Sequence, residues 1–367
     1  MRQFLFISFL GTANYSGGKQ CSQRNLQSLK ALLGNDNVVQ YIVQPYLEQQ
    51  KLITMIERVK DIFCGYMGGL SARKSKQILS IIEKKSITDI FLDSSLFGIL
   101  AKKIKKKFKH VRIYTFFHNV EYDFFVGNFK SEKDFFHLYW IPLAFLNEKN
   151  ACKYSDRIIS LNSRDACGLI KYYKHCPDSC IPITLNDIYH PNEEMLTAAY
   201  SFEKPCALFV GSNFYGNTIG LKWFCREVLP MVNIELIIVG SGMNKLTGSL
   251  GNESKIRIYS DVPDLTPYYE MADFVVLPIL SGAGMKVKTA ESLMYGKYIV
   301  GTAEAMTGYE VSSDVATICN SKEEFIECIN GLKLNKKFNK PSRLLFERKY
   351  SFDSSYALFA QLLSDEF

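Results

Sequence analysis

Short, nearly unbroken apolar runs alternate along the chain with stretches whose apolar positions recur at helical spacing. In the first half the runs fall at residues 3–10, 38–43, 87–92, 111–117, 157–161 and 180–183. Between them the spacing predicts helices over residues 20–33, through a lysine-rich stretch near 102–109, and over residues 134–154. The second half repeats the pattern, with runs at 206–210, 235–239, 255–259, 274–278 and 298–301 and helical periodicity over 218–229, 265–272 and 286–295. Strands that are apolar on both faces and separated by helices belong to parallel sheets covered on each side. The expected fold class is therefore α/β, with two Rossmann-like doubly wound domains. Residues 186–205, rich in Asn, Pro, Glu and Ser, mark the passage from one domain to the other. Ligands of open parallel sheets bind beyond the carboxyl ends of the strands, so the chemistry is expected in a central cleft that the two domains face.

A length of 367 residues suits two domains. The amino-terminal apolar run reads as a buried first strand rather than a secretory leader, because it is short and ends in a Gly/Ser loop. No apolar stretch approaches the roughly 20 residues of a membrane span. Ten cysteines are scattered without a CxxC pair, which argues against a zinc site and for a reducing, cytoplasmic setting. Charge is uneven. Residues 1–200 hold 27 Lys and Arg against 18 Asp and Glu, while the rest holds 17 against 19. Lys102, Lys103, Lys105, Lys106, Lys107 and Lys109 concentrate this excess. Each such lysine contributes about 1 kcal/mol near an anionic membrane, so peripheral contact with the inner face of the cell membrane is the expectation, with a solvated helix end as the alternative. Nucleic acid is not an expected partner.

Three strand-to-helix turns of the second half end in glycine: Gly211-Ser212, Gly240-Ser241-Gly242 and Ser281-Gly282-Ala283-Gly284. Glycine there allows backbone N–H groups to approach an anion at a helix start. The third turn leads into Met285-Lys286-Val287-Lys288-Thr289-Ala290-Glu291. Two lysines at a helix start oppose the helix dipole, a placement that makes sense if an anion sits between them. Glu291 follows Lys288 by three residues and could accept both O–H groups of a ribose diol. An exposed Lys–Glu pair is the alternative. The GxGxxG dinucleotide fingerprint is absent. In the first half, His118 closes an apolar strand beside Phe116, Phe117 and Asn119, Glu121 is placed either to orient His118 or only to cap the loop, and Glu148 reads as a structural ion-pair partner.

These residues stand in a recognisable order. LFVGS, GLKWFCREVLP, ELIIVGSG, DVPDLTPYYEMADFVVLPI, SGAGMKVKTAESLMYGKYIVGT and TGYE, between Leu208 and Glu310, resemble the donor-binding domain of GT-B-fold glycosyltransferases of the large retaining family 4. YSGG, FHNVEYDFF and DRIISLNSRD resemble elements of that family's first domain, and YSFDSSYALFAQLL its terminal helix.

The resemblance implies an acceptor-side domain over residues 1–190, a linker at 191–204, a nucleotide-sugar donor domain at 205–345 and a helix at 346–367 that crosses back. It implies transfer of a sugar, with retention and without a metal, from a UDP- or GDP-sugar to a saccharide or lipid-linked saccharide in surface polysaccharide biosynthesis. A sugar-nucleotide epimerase on the same scaffold and a non-catalytic partner subunit are the alternatives. By resemblance His118, Lys288 and Glu291 are the catalytic group. Gly17, Gly18, Gly211, Ser212, Gly240, Val262, Ser281, Gly282, Ala283, Gly284 and Lys286 join Lys288 and Glu291 around the donor. Two departures stand out: Ala283 occupies the slot of the family's first glutamate, and the basic residues that often follow the domain's first strand are missing from Gly211–Gly216.

Overall fold

Residues 2–9, 17–44, 51–132, 138–200, 203–251, 253–282 and 284–364 are described in the structure, a computed structural model. The chain divides into two units, one of Met1–Pro182 with Ser355–Phe367, the other of Ile183–Ser354.

The first unit is built on β1 (Phe4–Ser8), β2 (Val38–Ile42), β3 (Asp89–Leu92), β4 (Arg112–Phe117), β5 (Arg157–Ser160) and β6 (Ser179–Cys180). They pair in parallel in the order β2-β1-β3-β4-β5-β6, with Phe4 opposite Val38 on one side and Asp89 on the other. Every residue of β1 and β3 is buried, as the continuous apolar runs require for strands covered on both faces. Leu5, Ile7, Ile90 and Leu92 pack with Ile78, Ile82, Leu100 and Ile104 of the covering helices. The helix Phe352–Ser364 sets Phe359 against Phe91, with ring centroids 6.0 Å apart, and so brings the chain's end onto this unit. Strand order changes direction between β1 and β3.

The second unit carries β7 (Cys206–Val210), β8 (Glu235–Gly240), β9 (Ile256–Ser260), β10 (Phe274–Leu277), β11 (Ile299–Gly301) and β12 (Ala316–Ile318). The order is β12-β11-β10-β7-β8-β9, again all parallel. It is the doubly wound order in which direction changes between the first and fourth strands of the unit, here β7 and β10.

Every strand the apolar runs predict is present. Differences lie in the helices and at one sheet edge. Residues 44–86 gave no helix by pattern, yet Lys51–Phe63 and Ala72–Lys84 are helical. In place of one helix from residue 134, the structure has Glu121–Glu132 and Trp140–Tyr154, with 133–137 outside the described residues. The helix Glu121–Glu132 is not predicted from the spacing, whereas Trp140–Tyr154 lies within the stretch that is. β12, at the sheet edge, escaped notice because it has three residues and only Ala316 is buried.

Candidate functional site

In the second unit the loops after β7 and β8 touch backbone to backbone. A Cβ on Gly240, whose φ is +153°, would lie 1.9 Å from the carbonyl oxygen of Gly211. Gly211 N donates to Val239 O at 2.9 Å, and Asn213 N to Ser241 O at 2.8 Å. A Cβ on Gly211 would sit 3.1 Å from the Lys288 ammonium. Lys288 Nζ also donates to Asn217 Oδ1 and rests 5.1 Å from the Phe209 ring centroid. The cation is thus held directly over the carboxyl end of β7, beside the point where strand order changes.

Lys288 lies in the first turn of the helix Val287–Met294, which no side chain caps and no acidic residue precedes in its first turn. Burial lowers the Lys288 pKa to about 8, Glu291 opposing and Lys286 adding to the shift. Burial raises the Glu291 carboxyl to about 7 against the pull of Lys288. The Glu291 carboxylate accepts no hydrogen bond among the described residues. A half-buried ammonium, an uncapped helix start and two glycine backbones together form a place for an anion, with an unengaged carboxyl one helical turn away.

Other expected donor residues are placed as follows. Ser212 O accepts from Asn217 Nδ2 at 2.9 Å, which fixes the loop under Lys288. Lys286 departs from expectation: its ammonium pairs with Glu304 at 2.7 Å and donates to Gly284 O at 2.9 Å, so its charge is already opposed. Gly282 lies under that lysine, since a Cβ there would be 3.0 Å from Lys286 Cε. Ser281 is exposed in the same loop, and Ala283 lies outside the described residues. Val262 is half-buried after β9, next to Asp261, whose carboxylate binds Ser241 Oγ at 2.7 Å. Asn217 and Glu304 were not anticipated; each is recognisable only once the fold brings it to a lysine.

The first unit holds a separate polar cluster at the carboxyl ends of its strands. Asp93, following β3, is 2 % exposed. It accepts from Ser22 Oγ and from Asn25 Nδ2 (2.7 Å), and His118 Nε2 lies 3.3 Å from Oδ1 and 3.1 Å from the Asp93 main-chain oxygen. Cys21 is close enough to His118 to act on its charge, and Arg24 Nη2 donates to Cys21 Sγ at 3.2 Å. Burial opposes charge on His118, but Asp93 and Cys21 outweigh it and lift its pKa well above 6.5. Asp93 rather than Glu121 is therefore the residue that holds the ring. Glu121 begins the next helix, its carboxyl raised to about 8 by burial and by Glu148.

Glu148 makes no ion pair among the described residues, in correction of the structural salt bridge expected of it. It caps that helix instead, accepting from Glu121 N at 2.7 Å, Tyr122 N at 3.1 Å, Ser95 Oγ at 3.1 Å and Tyr173 Oη at 2.6 Å. Four donors satisfy a buried carboxyl that a single lysine would not reach. Gly17 and Gly18 open the helix Gly17–Leu33 rather than standing in a loop before it; Tyr15 and Ser16 lie outside the described residues.

The lysine cluster is partly spent inside the fold. Lys103 bonds Tyr66 Oη, Lys105 pairs with Asp156 at 2.7 Å and Lys107 with Glu83 at 2.9 Å. Lys102, Lys106 and Lys109 make no ion pair among the described residues, where no helix is long and apolar enough to cross a membrane.

Residues 204–333 match the family described as "Glycosyl transferases group 1". A curated relative, an uncharacterized 44.6 kDa protein in the cps region of Klebsiella pneumoniae, is 25% identical over 209 residues. That alignment takes in 52% of this chain and 51% of the relative, so the chain spans about half the length of the relative it matches. Among solved structures, Anabaena HepE in complex with UDP and glucose superposes with a TM-score of 0.64 at 11% identity, over 99% of this chain and 100% of that one. A glycosyltransferase from Rickettsia africae gives 0.62 at 12% identity, over 99% and 98%. Similarity at that identity establishes the two-unit fold.

Proposed function

We propose that the protein, whose residues 204–333 match the group 1 glycosyl transferases and whose chain takes a GT-B fold, transfers a sugar from a nucleoside-diphosphate sugar to a saccharide or lipid-linked saccharide acceptor. One observation carries the reading: Lys288, Gly211 and the uncapped helix start converge at the strand-order switch of the second unit. Breaking the bond from sugar to phosphate builds negative charge on the departing diphosphate. A fixed ammonium and aligned amides stabilise that charge without rearranging as it forms. Glu291 is suited to the ribose diol. Retention of anomeric configuration is part of the proposal.

A UDP-sugar donor is supported by HepE, whose structures contain UDP, glucose and UDP-glucose. A surface-polysaccharide product is supported by the cps-region relative. The deciding experiment supplies UDP- or GDP-sugars with and without polysaccharide-repeat acceptors and follows release of nucleoside diphosphate. Acceptor-dependent release with an α-linked product from an α-linked donor is expected. A changed sugar nucleotide would instead identify an epimerase, and no release with any donor a partner subunit.

Membrane contact through the lysine cluster falls to Lys102, Lys106 and Lys109, the members without an ion pair. Replacing all three by alanine should weaken binding to phosphatidylglycerol vesicles on the order of 100-fold, at about 1 kcal/mol per lysine. Unchanged vesicle binding would dismiss the cluster as a membrane patch.

A further inference from the structure

The polar cluster of the first unit is larger than a lone histidine at a strand end needs. Three side chains of the helix Gly17–Leu33, Cys21, Ser22 and Asn25, converge on the Asp93–His118 pair, Arg24 of the same helix holds Cys21 and Asn25, and Asp93 itself is on the turn after β3. Ser22 and Asn25 leave the Asp93 carboxylate oriented, and main-chain and side-chain oxygens of the same residue both face His118 Nε2. The cluster sits where strand order reverses between β1 and β3, the position at which doubly wound sheets take their ligands. The His118 side chain is still 19% exposed, whereas that of Asp93 is fully covered.

We propose that Asp93 is a positioning residue for sugar transfer: oriented by Ser22 and Asn25, it grips His118 Nε2 so that the imidazole is presented to ligand in one orientation, as a hydrogen-bond donor and not as a base. This rests on the transferase reading for its consequence, though not for its geometry. Both Asp93 oxygens beside Nε2 are acceptors, so that nitrogen carries its proton, and the buried carboxylate is an opposite charge that favours protonation of the second nitrogen as well. Charged and titratable groups facing the ring are Asp93 after β3, Cys21 and Arg24 on the first helix, and Glu121 on the helix that follows. Asp93 and Cys21 favour the cation. Arg24 acts on Cys21, whose thiol is lowered by Arg24 and His118 although burial works the other way. A ring with both nitrogens protonated can stabilise a hydroxyl or phosphate oxygen of the ligand but cannot take a proton from an attacking hydroxyl.

The test is carried out on the full chain labelled with 15N-histidine, the His118 signal being identified by its loss in His118→Gln. In the unmodified protein both ring nitrogens of His118 should remain protonated where free imidazole has largely lost its proton; a neutral ring at pH 7.5 overturns the proposal without any Asp93 variant being required. In Asp93→Asn, which keeps shape and removes charge, burial dominates and the midpoint should fall below the ordinary value of 6.5. An unchanged midpoint overturns the proposal as well. In transfer assays the loss in Asp93→Asn should deepen about tenfold per pH unit above the new midpoint, whereas a merely structural role would give a loss that is the same at pH 6 and pH 8. Binding of UDP through Lys288 is followed in parallel. Should the unmodified protein transfer no sugar, the transferase reading fails while the histidine spectra still decide the role of Asp93.

Discussion

Lys288→Ala is expected to abolish the thermal shift produced by nucleoside diphosphates and their sugars. Lys288 is the ammonium seated over Gly211 and the Phe209 ring, and its one hydrogen-bond partner among the described residues, Asn217, is neutral. Glu291 acts on it only at a distance and it makes no ion pair among the described residues, so its charge is available to a ligand. A hydrogen bond to a charged group contributes about 1.5–3 kcal/mol, which corresponds to a loss of roughly 10- to 150-fold in affinity. Lys286 provides the contrast, because Glu304 at 2.7 Å already takes its charge. Lys286→Ala should therefore cost markedly less. Isothermal titration with UDP on both variants decides the matter, and normal binding by Lys288→Ala would remove the second-unit site from consideration.

The same residue carries a pH signature. Lys288, lowered to about 8, gains a proton when an anion binds, so affinity present below pH 8 should be lost as pH rises through that value. Glu291, raised to about 7, must be ionised to accept two O–H bonds, so affinity should also be lost as pH falls below 7. Binding is expected to peak between the two, with limiting slopes of about tenfold per pH unit. Lys288→Ala should erase the alkaline limb and Glu291→Gln the acid one.

What the sequence made legible follows from how each feature is encoded. Buried parallel strands are continuous apolar runs, so all six strands of the first unit and five of the second could be read directly, and β12 was lost because an edge strand of three residues carries no such run. The glycine turns and Lys288 were visible because phosphate chemistry needs particular residue types at a strand end. Asn217 and Glu304 were not, since each becomes meaningful through a contact 71 or 18 residues distant in sequence. Asp93 left one trace: an aspartate closing the otherwise apolar run before Ser94 and Ser95. Its partners Ser22 and Asn25 lie 71 and 68 residues away, and nothing in the spacing couples them. Glu148 was misjudged for a related reason. A carboxyl on an aromatic helix suggests an ion pair, whereas its real partners are two main-chain amides and two hydroxyls that only the tertiary arrangement supplies.

Gly240→Ala is expected to be strongly damaging to the second unit. At φ +153° an L residue is strained whatever the space around it, and the added Cβ would stand 1.9 Å from Gly211 O and 2.5 Å from Gly211 C. Those are main-chain atoms held on both sides, by the bonds from Gly211 N to Val239 O and from Asn213 N to Ser241 O, so they cannot swing aside as a side chain would. Strain together with a backbone clash should cost on the order of 3 kcal/mol, a fall in melting temperature of about 6–12 °C for a unit of this size. Because Gly211 is also the floor beneath Lys288, displacement of its carbonyl should weaken UDP binding by more than the loss of stability alone explains. Gly242→Ala separates the two causes: φ there is +68°, but the nearest atom to a new Cβ is Asn213 Cβ at an ordinary 3.5 Å. It should cost only the left-handed strain of about 1–2 kcal/mol and leave UDP affinity nearly intact. Equal effects of the two substitutions on melting and on binding would mean that the contact between the β7 and β8 loops does not shape the anion site.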